Sequence, residues 1–241
     1  MAAYITQVKT LRRQLLRNAQ ATGAATARSS QGPMIFNELW GAAAIDATNL
    51  WTTTVEGTGT VTITTSTTRR VCALNTVAAD QRAAIDSSLR SIFVPSGAAS
   101  TAEIYKRLIL EWEMQFSANE PGGNNRTAFG LVGGATNMSR EANDLAAFGF
   151  LADVMQTVTD KAGTETETAS LVSPTITNWN LYKIVVRNAA IDFYINGSLA
   201  NTHTTNLPAV PLNAGFNIKR GVADAAVIVN IGAARMWLED E

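Results

Sequence analysis

Polar and apolar residues alternate with a period of two along "RLILEWEMQF". Leu108, Leu110, Trp112, Met114 and Phe116 fall on one face, and Arg107, Ile109, Glu111, Glu113 and Gln115 on the other. The same period runs through "NLYKIVVRN", "AIDFYIN" and "AVIVNIGAARMWLED". "TGTVTITTST" alternates too and is rich in threonine, as an exposed sheet is. Turn formers stand between these runs: Glu120-Pro-Gly-Gly-Asn, Lys161-Ala-Gly, Asn196-Gly197 and Asn213-Ala-Gly. In "IDFYINGSLANTH" the apolar side chains of Ile191, Phe193 and Ile195 share a face. Asn-Gly then accepts the two positive φ values of a type I′ turn, which predicts a two-residue hairpin with its apolar side on a core. Many short strands punctuated by turns predict an all-β antiparallel sandwich of jelly-roll type. One body segment, "AADQRAAIDSSLRSI", has helical character, or else makes an excursion between strands.

The pattern changes at the N-terminus. Tyr4, Val8, Leu11 and Leu15 recur at helical spacing, so residues 4–17 are expected to form a short amphipathic helix. "NAQATGAATARSSQGP" follows without an apolar face and reads as a linker that stops at Gly32-Pro33. The expected organisation is therefore an arm, residues 1–33, and one sandwich domain, residues 34–241. A helix this short is marginal alone in water and calls for a partner surface.

Charge sharpens that division. Lys9, Arg12, Arg13, Arg17 and Arg28 face no acid up to Asn37, giving this segment +5, so the rest of the chain holds −6 of a total of −1. The near-neutral total argues against a general affinity for nucleic acid. With hydrophobic residues at 46% and a mean hydropathy of +0.03, the 241-residue chain can bury a core. No run of about 18 apolar residues is present, so no membrane span is expected, and nothing at the start reads as a secretory signal. Cys72 has no cysteine to pair with and reads as a small core residue. The single histidine, His203, does not suggest zinc.

The order of these segments resembles the concanavalin A-like lectin/glucanase jelly roll, two curved antiparallel sheets packed face to face. "FNELWGAAAIDATNLWTTTVEGTGTVTIT" is similar to its first strands, where an aromatic and acidic stretch leads to a tryptophan and a Gly-Thr-Gly turn. "RLILEWEMQF" resembles a central strand. "NWNLYKIVV", "IDFYINGSLANTH", "LPAVPLNAGFNIK" and "IGAARMWLEDE" resemble the late strands. The basic arm, the Ala/Thr/Gly-rich body and "TVTDKAGTETETAS" further resemble the jelly-roll modules of tailed-phage virion proteins.

Three functions follow from the resemblance. Glycosidases of this family carry Glu-x-Asp-x-x-Glu on a strand, and retaining chemistry needs two carboxylates about 5–5.5 Å apart. The nearest match is Glu111-Trp112-Glu113, neighbours that turn alternately to opposite faces, with no further acid before Glu120. No catalytic residue is therefore assigned, and the protein is expected not to be an enzyme. Sugar binding is the alternative. Trp40, Trp51, Trp112, Trp179 and Trp237 offer stacking surfaces, and "NEPGGNNR" and "TNMSREAND" offer polar loops in which Asn143 or Asp144 could take calcium. A lectin-like module should hold an exposed tryptophan ringed by polar loops and need no arm. The leading expectation is a structural protein of a virus particle, most simply a capsid decoration protein. Tyr4, Val8, Lys9, Leu11, Arg12, Arg13, Leu15 and Arg17 would form the surface that anchors it to capsid subunits or to copies of itself. No cofactor, nucleic acid or membrane enters any of these readings, and no metal site is assigned.

Overall fold

The computed structural model describes residues 31–40, 44–46, 50–66, 69–76, 82–90, 107–117, 127–133, 138, 144–151, 154–219 and 226–239. All of the regular structure in them is antiparallel β: β1 (Gln31–Glu38), β2 (Trp51–Glu56), β3 (Thr60–Ser66), β4 (Arg69–Thr76), β5 (Arg82–Arg90), β6 (Arg107–Phe116), β7 (Ala128–Gly133), β8 (Leu145–Leu151), β9 (Val154–Lys161), β10 (Thr164–Ala169), β11 (Asn180–Arg187), β12 (Ala190–Ile195), β13 (Ser198–His203), β14 (Leu212–Lys219) and β15 (Val227–Glu239). They build two sheets. One runs β13-β12-β11-β6-β15-β4-β3, with β1 added to β15; the other runs β10-β9-β8-β7-β14-β5-β2. This is the two-sheet jelly-roll sandwich that the sequence predicts.

The inner faces interdigitate along a line of aromatic rings. Trp40 lies against Trp51, Trp51 against Trp112, Trp112 against Phe216, Phe216 against Phe129, Phe129 against Phe148, and Phe148 against Phe193, at centroid separations of 5.2–6.1 Å. Tyr182 closes on Phe129 and Phe148 from β11. The alternation in β6 is realised as written, with Leu108, Leu110, Trp112, Met114 and Phe116 all buried in this core. The Asn196-Gly197 hairpin also forms, at φ values of 51° and 82°. Ala162 and Gly163, at 52° and 87°, turn β9 into β10 in the same way.

Three expectations need correction. Of the segment read as helical or as an excursion between strands, Arg82–Arg90 form β5. Ala83 and Ile85 face the core from it and Asp86 turns away, so alanine content imitated a helix where position in the sheet decided. Asn213-Ala-Gly is not a turn but lies inside β14, where the register with β5 shifts between Asn213 and Gly215. A bulge there absorbs the irregularity, and the bare Cα of Gly215 leaves room for the Asp86 carboxylate and the Met138 side chain. The β structure also begins at Gln31, ahead of Met34.

Candidate functional site

Alternation also fixes what the outer face of the larger sheet presents. Glu111 and Glu113 are two residues apart, so both project outward, in one row with Arg107, Ile109 and Gln115. The expectation that the acids of Glu111-Trp112-Glu113 turn to opposite faces is corrected here: residues two apart on a strand share a face, and both carboxylates line one cavity. Flanking strands set their neighbours. Glu111 stands opposite Lys183 of β11 and Arg235 of β15, and Glu113 opposite Leu181 and Ala233. Opposite charges across a ladder support each other. The Arg235 guanidinium lies 3.9 Å from Glu111 Oε2.

Glu113 has a closer partner. Arg69 Nη1 donates to Glu113 Oε2 at 2.9 Å, and the Arg69 guanidinium carbon sits 3.6 Å from the centre of the Trp179 ring. Trp179 precedes β11 and remains half-buried, whereas Trp40, Trp51, Trp112 and Trp237 are each at least 96% buried. The loop that carries it is held by amides. Asn180 Nδ2 donates to the carbonyls of Thr175 and Asn178, Asn196 Nδ2 donates to Asn180 Oδ1, and Gln115 Nε2 donates to Thr177 O at 2.6 Å. Asn196 Oδ1 in turn accepts from the Leu181 amide. The Asn-Gly turn thus does more than reverse the chain: its side chain braces the tryptophan loop.

Glu111, Glu113, Trp179, Asn180, Asn196 and Arg235 line an open cavity of about 350 Å³. A second hollow of about 540 Å³ lies farther along the same face, over Ile109, Val185 and Tyr194, with Arg107, Lys183 and Arg187 around it. Its acids are engaged: Asp192 accepts from Arg187 and Thr202, and Glu239 accepts from Trp237 Nε1. Chemically, the first cavity combines an aromatic platform, two carboxylates, the Arg235 guanidinium and two carboxamides. That set suits a polyhydroxylated ligand, whose hydroxyls both donate and accept while its ring stacks.

Other polar residues are used inside the body. His203 Nε2 and Nδ1 lie 2.9 Å from the hydroxyls of Thr157 and Thr159, and burial lowers its pKa. Asp144 Oδ1 accepts from the Ala209 amide at 3.0 Å, so the residue considered for calcium holds a loop in place. Asn143 and the loop "NEPGGNNR" lie outside the described residues. Among the described residues, no group of three or more His, Cys, Asp and Glu side chains is placed to hold a metal. The buried Cys72 thiol is pushed up by burial, which suppresses thiolate chemistry. The arm residues Tyr4, Val8, Lys9, Leu11, Arg12, Arg13, Leu15 and Arg17 lie outside the described residues.

The architecture is a two-sheet antiparallel jelly roll with a polar, tryptophan-bearing cavity on the outer face of its larger sheet. No protein-family model matches the chain, and no curated protein does. Solved structures of the same fold do match. The carbohydrate recognition domain of Emp47p has a TM-score of 0.58 at 9% identity, over 89% of this chain and 100% of that one. The GH16 protein of the Bacteroides ovatus mixed linkage glucan PUL, solved with a product bound, has 0.60 at 13%, over 84% and 99%. The β-glucanase of Bacillus licheniformis has 0.59 at 15%, over 86% and 98%. Binding domains and glycosidases therefore share this fold, and at such identities the likeness is one of fold.

Proposed function

We propose that this protein binds carbohydrate without hydrolysing it, the sugar ring lying against Trp179 and its hydroxyls meeting Glu111, Asn196 and Arg235. The observation that carries the reading is the half-buried Trp179 at the edge of a polar cavity, in a chain whose other four tryptophans are at least 96% buried. Carbohydrate recognition by Emp47p and glucan chemistry in the two glucanases support it by analogy of fold. The surroundings of the carboxylates weigh against hydrolysis. Glu113 is bonded to Arg69, Glu111 faces Arg235, and the next place in their row holds an amide, Gln115, committed to Thr177 O. Two carboxylates held in ion pairs, with an amide at the next place in their row, do not offer the pair of free acids that glycoside hydrolysis uses.

Trp179→Ala is expected to weaken binding at least about tenfold, because stacking and burial of an aromatic ring is worth about 1.5 kcal/mol or more. Glycan-array screening followed by calorimetry on the best ligand measures this, with circular dichroism to confirm the fold. Undiminished affinity in the variant would sink the assignment, as would the absence of any ligand for the wild type. Turnover of a β-glucan that disappears in Glu113→Gln would overturn the non-hydrolytic part.

The setting proposed for the module is a virus particle, as a capsid decoration protein or part of a fibre. What supports this is the division of charge between the +5 arm and the −6 remainder. Removal of residues 1–33 is expected to leave a folded body that no longer joins its assembly. Co-sedimentation of full-length and truncated protein with the particle measures it. Equal binding by both forms would rule out the arm as the anchor.

A further inference from the structure

Strand β15 pairs with β6 along most of its length, but the register slips between Ile231 and Ala233. Gly232 occupies the slip. A bulge bends its strand and redirects what lies beside it. Here it makes room for the end of Arg69. A Cβ on Gly232 would lie 2.7 Å from both Cζ and Nη2 of Arg69 and 3.0 Å from Nη1, well inside contact distance. The guanidinium that fills this space bonds Glu113 with Nη1 and lies against the Trp179 ring. Glu113 comes from β6, Gly232 from β15 and Arg69 from the start of β4; together they meet the loop ahead of β11.

We infer that Gly232 and Arg69 are positioning residues for Trp179: the glycine admits the guanidinium, and the guanidinium holds the indole at the angle at which the ring lines the cavity. The inference rests on the carbohydrate-binding reading for its consequence, though not for its geometry. The contact is between a planar cation and an aromatic face, which lysine cannot reproduce with the same area or direction. Opposite charge at Glu113 fixes the guanidinium from the other end. Asn180 and Asn196 hold the backbone of the Trp179 loop, so Arg69 is needed for the ring and not for the loop.

The character of the clash makes this testable. The atoms in the way of a Cβ at position 232 are the far end of a long flexible side chain, so Gly232→Ala moves Arg69 and leaves the sheet intact. Trp179 is the half-buried tryptophan of the described set, so acrylamide quenching of fluorescence reports on it, and the difference from Trp179→Phe isolates its signal. Without sugar present, Gly232→Ala, Arg69→Ala and Arg69→Lys are each expected to raise quenching of Trp179 at an unchanged unfolding midpoint. The double variant Arg69→Ala/Gly232→Ala should match Arg69→Ala alone, since both changes act through one contact. With sugar, each single variant should bind about three- to thirtyfold more weakly, the range that loss of one cation–π contact spans. Wild-type quenching in Gly232→Ala would overturn the inference, and so would additive effects in the double variant. Quenching needs no ligand, so a failure of the wild type to bind any sugar refutes the proposed function while this positioning is still decided.

Discussion

Phe129→Ala is expected to destabilise the domain by about 3–5 kcal/mol, the range for truncating a fully buried phenylalanine. Phe129 is fully buried on β7. Its ring stacks on Phe216 at 5.2 Å and 8°, stacks on Phe148 at 5.3 Å and 20°, and meets Tyr182 edge-on at 5.0 Å. Those partners come from β14, β8 and β11, so the ring joins both sheets at the middle of the aromatic line. Rigid rings on three sides cannot collapse into the space left behind, which places the cost toward the upper end. A loss of this size is a large share of the stability of an ordinary domain. Leu171→Ala, at a side chain that is 80% exposed, should stay within about 0.5 kcal/mol. Urea titrations of the two variants measure the contrast, and a Phe129→Ala midpoint close to wild type would refute this account of the core.

Asp86→Asn is expected to act in the opposite direction, adding about 1–3 kcal/mol at pH 7. Asp86 is 96% buried on β5, and burial pushes its carboxyl up to about 6, against the partial relief of the Met138 amide and the Arg82 charge. A pKa higher in the folded state than in the unfolded state means that the folded state binds the proton more tightly. The favourable contribution is full below the unfolded value of about 3.9 and is lost as pH rises through about 6. At neutral pH the folded protein carries a buried charge it would hold more easily in water. Asparagine removes that charge and keeps an oxygen to accept from Met138 N, a 2.6 Å bond in the wild type. The gain should therefore be present at pH 7 and vanish below about pH 4. Burial lowers the pKa of His203, whose contribution runs the other way, present above about pH 6.5 and lost as pH falls, but it is common to both proteins and cancels. Urea midpoints of wild type and variant at the two pH values test this. An equal gain at both, or none at pH 7, would show that the Asp86 charge is not the cause.

Legibility in the sequence follows how many faces an element shows to water. In β6, β11 and β12 one face meets the core and the other meets a polar surface, so alternation survives and the strands can be read directly. β7 is buried on both faces, its outer one under a cluster with Met138, Leu145, Ala147 and Val158. "AFGLVG" therefore shows no period. β5 and the bulged start of β14 hide for related reasons, alanine in one and turn-forming residues in the other, both overridden by neighbouring strands. The Asn196-Gly197 turn was readable because its positive φ values are a property of two adjacent residues.

The site was less legible. Which tryptophan meets solvent cannot be told from its neighbours in the chain, since Trp179 and Trp51 both lie near polar residues and only packing separates them. The role of Glu113 depends on Arg69, 44 residues away, and Arg69 depends on a glycine in the last strand. The sequence by itself determined an antiparallel sandwich, its central strand and its tightest hairpin, because backbone period and turn chemistry are local. Only the tertiary structure decided that two glutamates, one arginine and a tryptophan share one cavity, with a second arginine behind them, because that juxtaposition is made by sheet order and register between strands far apart in the chain.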